Sequence, residues 1–73
     1  MNLGYMRYAV VIEKSKNGFG AYVPDLPGCI AVGETLRETK KLIQEAITFY
    51  LEGLRDESRS IPRATAIAEY VEI

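Results

Sequence analysis

The sequence contains no histidine and a single cysteine, and these two shortages remove several kinds of chemistry. Histidine is the most frequent general base and completes the usual serine and cysteine triads, so none of these can be built from this chain. Cys29 has no partner for an intrachain disulfide, and without histidine the usual zinc-ligand sets cannot be assembled. A reducing cytoplasm fits such a chain best, and no cofactor or metal is expected.

Charge of one sign is not concentrated anywhere, and long apolar runs are missing. Nine basic and ten acidic residues leave a net charge of −1, and the basic residues are scattered. Binding to free nucleic acid or to an anionic membrane draws on clustered Lys and Arg, so neither is expected as a direct partner. No apolar run reaches the ~18 residues of a spanning helix, so neither a secretory signal nor a membrane span is expected.

The length and composition are those of one small folded domain. The chain has 73 residues, 48% of them hydrophobic. A chain this short buries only about 60% of the surface that its unfolded state exposes, which leaves a monomer marginally stable. Residues 1–73 are therefore expected to form a single domain.

Hydrophobic periodicity predicts the element order βββαβ. The uninterrupted apolar run at 8–12 predicts a central strand covered on both faces. A polar connection ending in Asn17-Gly18, the dipeptide best able to adopt positive φ in a hairpin turn, joins it to an antiparallel strand at 19–23. A short third strand at 29–32 completes an antiparallel meander, and alternating apolar residues predict a last strand at 65–73.

A long helix is predicted between the third and the last strand. Thr35 and Glu38 have the spacing of a capping box, in which the two side chains satisfy orphan amide donors at a helix N-terminus. From Leu36 to about Leu54, apolar residues recur at three- and four-residue spacing. The residues expected in the core are Leu36, Ile43, Ile47 and Tyr50.

One helix can cover only one face of such a sheet, which makes the fold class α+β. The opposite face would keep apolar side chains in water, a condition that marks an interaction surface. We therefore expect a homodimer or a higher even oligomer formed through the sheet face that the helix leaves uncovered.

The stretch Asp25-Leu26-Pro27-Gly28 is expected to be a stiff corner between the second and third strands. Pro24 and Pro27 each fix their own φ and push the preceding residue toward extended geometry. Gly28 supplies the freedom that a tight reversal needs.

Candidate catalytic groups are few. The carboxylates nearest to strand ends are Glu13, Asp25, Glu34 and Glu69. A two-metal nuclease would need several of them to converge on one spot, and nothing in their spacing requires it, since acidic residues near turns are mostly solvated. Cys29 lies in an apolar run and is expected to be a buried strand residue and not a nucleophile. The residues favour a binding module over an enzyme.

Several motifs together resemble the HicB family of type II antitoxins, and the resemblance covers essentially the whole chain. They are Tyr8-x-Val10-x-Ile12-Glu13, Ala21-Tyr-Val-Pro-Asp-Leu-Pro-Gly-Cys29, Gly33-x-Thr35-Leu36, Glu45-Ala46, Tyr50-Leu51 and Ile61-Pro62. The Pro-Asp-Leu-Pro-Gly-Cys run is the most specific of them. The resemblance implies a partial ribonuclease H-like fold without nuclease activity. It also implies a partner, a HicA-like toxin that cleaves messenger RNA and is neutralised by direct contact.

The resemblance carries further expectations. Fuller family members have a C-terminal helix-turn-helix or ribbon-helix-helix segment that binds the operator, whereas this sequence stops at Ile73, so no C-terminal DNA-binding domain is expected. A toxin that binds RNA should present a basic face, and acidic residues on this chain would steer the encounter. The candidate partner-binding residues are Asp25, Leu26, Pro27, Gly28 and Glu34, and the polar face of the helix is a further candidate.

Alternatives stay open at this point. The four residues from Asp25 to Gly28 fit a purely structural corner equally well. The chain could also be a solitary HicB-like regulatory or scaffold domain that has no toxin. A vestigial metal-dependent nuclease, with metal held by Glu13 and Asp25, is the remaining alternative.

Overall fold

The computed structural model describes residues 6–73, which form three antiparallel strands followed by one helix. The elements are β1 (Val11–Ser15), β2 (Gly18–Tyr22), β3 (Ile30–Gly33) and α1 (Leu36–Asp56). The strands are hydrogen-bonded in the order β1-β2-β3, so β2 is central and the other two are edge strands. The predicted α+β fold class is confirmed. Within residues 6–73, no helix has the length and apolar character needed to cross a membrane.

β1 and β2 form the predicted antiparallel hairpin, in which Ser15 pairs with Gly18. The connection is therefore the two residues Lys16 and Asn17. The prediction of positive φ at Asn17-Gly18 is wrong, because within the described part of the chain positive φ occurs at Gly28 and Ser58. The turn lies one residue earlier than expected, which places Gly18 in the strand.

The first strand differs from its prediction in position and surroundings. It begins at Val11 and not at Tyr8, and it lies at an edge of the sheet with its last three residues exposed. The expectation of a central strand covered on both faces is therefore wrong for a single chain. Tyr8 and Val10, which precede the strand, still pack against the core.

The last predicted strand is not part of the sheet. Residues 65–73 form no strand, and their large apolar side chains, Ile67, Tyr70, Val71 and Ile73, are exposed. A strand requires a neighbour with which its backbone can pair, and alternation indicates which face a strand would bury without indicating which strand lies beside it. The order βββαβ is thus corrected to βββα within one chain.

The helix packs on one face of the sheet and closes a small core. The buried apolar residues are Ala21, Val23, Leu26, Cys29, Ile43 and Leu51. Ile47 and Tyr50 are half-buried. Leu36 is 49% exposed, so its predicted place in the core is wrong. It is the first residue of α1, and Thr39 is the buried residue of the first turn.

The predicted N-terminal cap of α1 is present. Glu38 N donates a hydrogen bond to Thr35 Oγ1 at 3.0 Å. The Glu38 carboxylate accepts a bond of 2.6 Å from the backbone N–H of Glu34, the residue before the cap. Thr35 thus satisfies one orphan amide donor of the helix. Glu38 bonds the amide of Glu34 and not that of Thr35, so the second half of the predicted capping box is shifted by one residue.

Gly33 packs tightly against the first turn of α1, and this contact leads to a prediction for stability. A β-carbon at Gly33 would lie 2.6 Å from Thr39 Oγ1 and 3.0 Å from Thr39 N. Thr39 is fully buried, and its hydroxyl donates to Thr35 O at 2.8 Å, so it has little room to move. We expect Gly33→Ala to lower the free energy of unfolding by about 1–3 kcal/mol, as overpacking does, in urea titrations followed by circular dichroism.

Gly20→Ala is the matched control, since Gly20 also lies in a strand but a β-carbon there would meet nothing within 4 Å. This variant should change the free energy of unfolding by less than about 1 kcal/mol. Equal losses for the two variants would contradict the packing explanation.

Candidate protein-binding site

The corner that follows β2 is built from short-range hydrogen bonds and one glycine. Leu26 N donates to Val23 O at 3.0 Å, and Cys29 N donates to Leu26 O at 3.0 Å. Gly28 has a φ of +84°, in the left-handed region that a β-carbon disfavours. The stiff corner predicted for residues 25–28 is confirmed.

The corner turns some of its residues inward and others outward. Leu26 is fully buried and Cys29 nearly so, whereas Pro27 and Gly28 are exposed. Burial raises the pKa of the Cys29 thiol, which favours the neutral form over the nucleophilic thiolate. Cys29 is therefore a core residue, as expected. Leu26 can contact a partner only if the corner opens.

Asp25 connects the corner to the C-terminal stretch of the chain. Its carboxylate accepts hydrogen bonds from Thr65 N at 3.0 Å, from Thr65 Oγ1 at 2.9 Å and from Ala66 N at 3.0 Å. The bond from Ala66 does most to lower the pKa of Asp25, and those from Thr65 add to it. We call these three bonds the Asp25 tether. Sequence reasoning missed them because 40 residues separate Asp25 from Thr65.

A second long-range bond lies beside the first. The Tyr8 hydroxyl donates to Pro62 O at 2.6 Å. Burial raises the pKa of Tyr8, and the negative charge of Asp25 raises it further. The two connections hold residues 62–66 against the domain although they form no strand.

β3 exposes two large aliphatic side chains on the sheet face that α1 leaves uncovered. Ile30 is 65% exposed and Val32 is 72% exposed. Because side chains alternate along a strand, the neighbouring Ala31 and Gly33 face α1 and are better covered. Tyr22, which pairs with Ile30, is also exposed. The predicted uncovered apolar face is present.

Glu34 lies at the far end of β3 from the corner, and it is exposed. The distance from Ile30 to Glu34 is roughly 13 Å at ~3.3 Å per strand residue. The structure therefore does not bring Glu34 together with residues 25–28 but places them at opposite ends of one exposed edge strand. We define the β3 surface as five residues: Pro27, Gly28, Ile30, Val32 and Glu34.

Ile30 and Val32 are the members of this surface that sequence reasoning did not select. From the sequence, the run from Cys29 to Val32 is predicted as one apolar strand, without a distinction between its two faces. The signal was available in the alternation of small residues, Cys29 and Ala31, with large aliphatic ones.

The carboxylates that a nuclease would need do not form a cluster. Within residues 6–73, no three Asp, Glu, Cys or His side chains lie close enough together to hold a metal ion. Glu13 is exposed on β1, and both carboxylate oxygens of Asp25 accept bonds of the Asp25 tether.

Comparison with known proteins identifies the family. A family model described as the HicB-like antitoxin of bacterial toxin-antitoxin systems matches residues 8–73. The chain belongs to the HicB-like antitoxin family. The resemblance found from the motifs is confirmed.

Relatives of this HicB-like chain include proteins from a phage and from a bacterium. It is 38% identical over 66 residues to an uncharacterized 14.9 kDa protein of Haemophilus phage HP1, a match that covers 90% of this chain and 50% of the relative. It is 39% identical over 64 residues to a UPF0150 protein of Helicobacter pylori, covering 86% of this chain and 89% of the relative. The chain thus spans half the length of the phage protein.

A solved structure is also similar. A chain of a HicA3 and HicB3 toxin-antitoxin complex matches with a TM-score of 0.66 and 34% sequence identity. The match covers 75% of this HicB-like chain and 64% of that chain.

The Asp25 tether predicts a pH-dependent connection to the C-terminal stretch. The pKa of Asp25 is lower in the folded state than its ordinary value of 3.8, so the tether's stabilisation is complete above that value and is lost as the pH falls through the lower, folded-state value. In NMR titrations, the backbone amide signals of Thr65 and Ala66 should shift with a midpoint below 3.8. Asp25→Asn should show the shifted positions at every pH.

Glu34→Gln is the control for this titration, since it removes an exposed carboxylate at the other end of β3, and the hydrogen bonds from Thr65 and Ala66 go to Asp25. The amide signals of both residues should titrate in this variant as in the unmodified chain. A midpoint above the ordinary Asp value, or amide signals that ignore Asp25→Asn, would contradict the tether.

Proposed function

We propose that this HicB-like chain is an antitoxin that binds a HicA-like ribonuclease toxin and blocks its RNA-binding or catalytic surface. Membership in the HicB-like antitoxin family is the observation that carries the proposal. The likeness to a chain of a HicA3 and HicB3 toxin-antitoxin complex supports it, because both the fold and 34% of the sequence agree.

The β3 surface is the proposed contact for the toxin. Ile30 and Val32 are exposed aliphatic side chains whose burial would favour association. β3 is also an edge strand with unpaired backbone groups, which a partner strand can use. Pro27 and Gly28 extend this surface as a preformed corner, and a rigid segment loses little conformational freedom when it binds.

Charge supports the same assignment. Glu34 is exposed beside Glu38 at the start of α1, and a basic, RNA-binding partner would be attracted to this end of β3. Asp25 and Leu26, the other two residues predicted to bind the partner, take a supporting role: Asp25 holds the C-terminal stretch, and Leu26 fills the inside of the corner.

We further propose that the chain has no catalytic activity of its own. It would act in the cytoplasm, where a toxin that cleaves messenger RNA would find its substrate. The absence of histidine from the sequence supports a binding role. The engagement of Asp25 in the tether argues against the Glu13 and Asp25 metal pair of the nuclease alternative.

Co-expression tests the function directly. Expression of the HicA-like chain encoded by a neighbouring gene should arrest growth, and co-expression with this chain should restore growth through direct binding. A toxic neighbour that this chain neither binds nor neutralises would refute the antitoxin assignment. A neighbour without toxicity would favour the solitary regulatory domain.

Substitutions on the β3 surface test where the toxin binds. Val32→Asp should weaken the affinity for a catalytically inactive toxin by about 30-fold or more, the size of an interface hot spot. Glu34→Lys should lower the association rate and its dependence on salt, because it reverses a steering charge. Calorimetry gives the affinity, and surface plasmon resonance gives the rate.

Glu45→Lys is the matched control for Glu34→Lys. It makes the same change of charge at an exposed residue, but on the side of α1 that points away from the sheet. This variant should bind as the unmodified chain does. If Glu45→Lys weakens binding and Glu34→Lys does not, the toxin binds the polar helix face.

A further inference from the structure

The C-terminal segment of residues 67–73 is apolar, exposed and unpaired. Ile67 is 82% exposed and Val71 is 80% exposed, and Tyr70 and Ile73 are fully exposed. Single exposed apolar residues are ordinary, but several together mark an interaction site. The radius of gyration of the Cα atoms is 13.2 Å, against about 11 Å for a compact chain of this length, which agrees with a segment that projects from the domain.

The open edge of β1 lies beside an apolar groove that no described residue fills. The groove has a volume of about 640 Å³. Val10 and Ile12 line it on the sheet side, and Ile43, Ile47 and Leu51 line it on the side of α1. A strand added to the edge of β1 would place every second side chain in this groove.

The groove and the segment have complementary chemistry. Among the residues that the structure describes, the groove is lined by Arg7 and Lys40 and by no carboxylate. The segment contains Glu69 and Glu72 and no basic residue. Alternation puts Ile67, Glu69, Val71 and Ile73 on one face of an extended segment. An apolar face with one carboxylate thus matches an apolar groove with basic residues in its lining.

The two long-range connections fix the point at which the segment leaves the domain. Tyr8 holds Pro62, and Asp25 holds Thr65 and Ala66. Tyr8 also lines the groove, so these connections end beside the groove of the same chain, but beyond them residues 67–73 form no strand and their large apolar side chains stay exposed. The segment therefore does not fill the groove of its own chain. It can reach the β1 edge of another copy without breaking the Asp25 tether.

We propose that residues 67–73 of one copy add to the β1 edge of a second copy as a fourth strand and fill its groove. The exchange is reciprocal, so a two-fold axis closes a dimer with two identical contacts. Each β1 then has a neighbour on both sides, which is the central position that its apolar sequence predicts. The β3 surface takes no part, so the dimer does not depend on the proposed toxin.

Sedimentation of the full chain with matched variants tests the proposal. The unmodified chain should be a dimer at micromolar concentration. Val71→Asp should halve the mass over the same concentration range, because a carboxylate would have to enter the apolar groove. Phe49→Asp is the matched control and should stay dimeric. Phe49 is 79% exposed, and it lines a different pocket from the groove beside β1. Circular dichroism verifies that each variant is folded.

Val32→Asp and hydrogen exchange distinguish the proposed dimer from the other arrangements, in which the uncovered sheet face forms the interface or the segment fills the groove of its own chain. Val32→Asp alters the uncovered sheet face and should also stay dimeric. Amides 67–73 should be protected from exchange in the dimer and unprotected in Val71→Asp. A monomeric wild type, a dimeric Val71→Asp or a monomeric Val32→Asp would overturn the proposal, the last because the uncovered sheet face would then be the interface.

Self-closure is the remaining competing arrangement. A monomer whose amides 67–73 are protected would mean that the segment fills the groove of its own chain, and this also overturns the proposal. Loss of toxin binding by a chain that is still dimeric would refute the proposed function alone.

Discussion

The carboxylate of Asp25 joins the two parts of the chain whose arrangement matters most. It lies in the corner after β2 and accepts three hydrogen bonds from Thr65 and Ala66. A bond to an ionised group is stronger than a neutral one, and here the donors are two backbone amides and a hydroxyl. The course of the C-terminal stretch depends on this side chain together with the Tyr8 hydroxyl, which holds Pro62.

Features set by local chemistry could be predicted from the sequence. The Thr35 cap, the long amphipathic helix and the corner at residues 25–28 each depend on residues within a few positions of one another. The burial of Cys29 followed from its apolar neighbours. In each case the hydrogen-bond partner or the steric restriction comes from a residue only a few positions away in the sequence.

Features set by distant partners could not be predicted. Nothing near Asp25 indicates that Thr65 will reach it, and the hydroxyl of Tyr8 finds its acceptor at Pro62. The placement of Leu36 in the core failed because periodicity defines a helix face and does not say at which residue of that face burial begins, which is Thr39 here. The edge position of β1 and the unpaired segment 67–73 have one common cause, since strand pairing is not encoded by either strand alone.

The candidate site was predictable in part for the same reason. The sequence alone marks Pro27 and Gly28 as turn residues and Glu34 as a charged residue at the end of a strand. Ile30 and Val32 become visible only when the helix is known to cover the opposite side of β3. In the arrangement we propose, one edge of the sheet binds a toxin and the other binds a second copy, so the dimer would carry two toxin sites.

β3 is short, and its shortness limits what can attach to it. It has four residues, and Pro27 on one side and the capped start of α1 on the other prevent its extension. A stray strand from another protein would therefore gain few ladder hydrogen bonds, too few to hold it there by backbone pairing alone. The domain can keep an apolar edge in water without growing into aggregates, and a ligand that stays bound must also match its side chains.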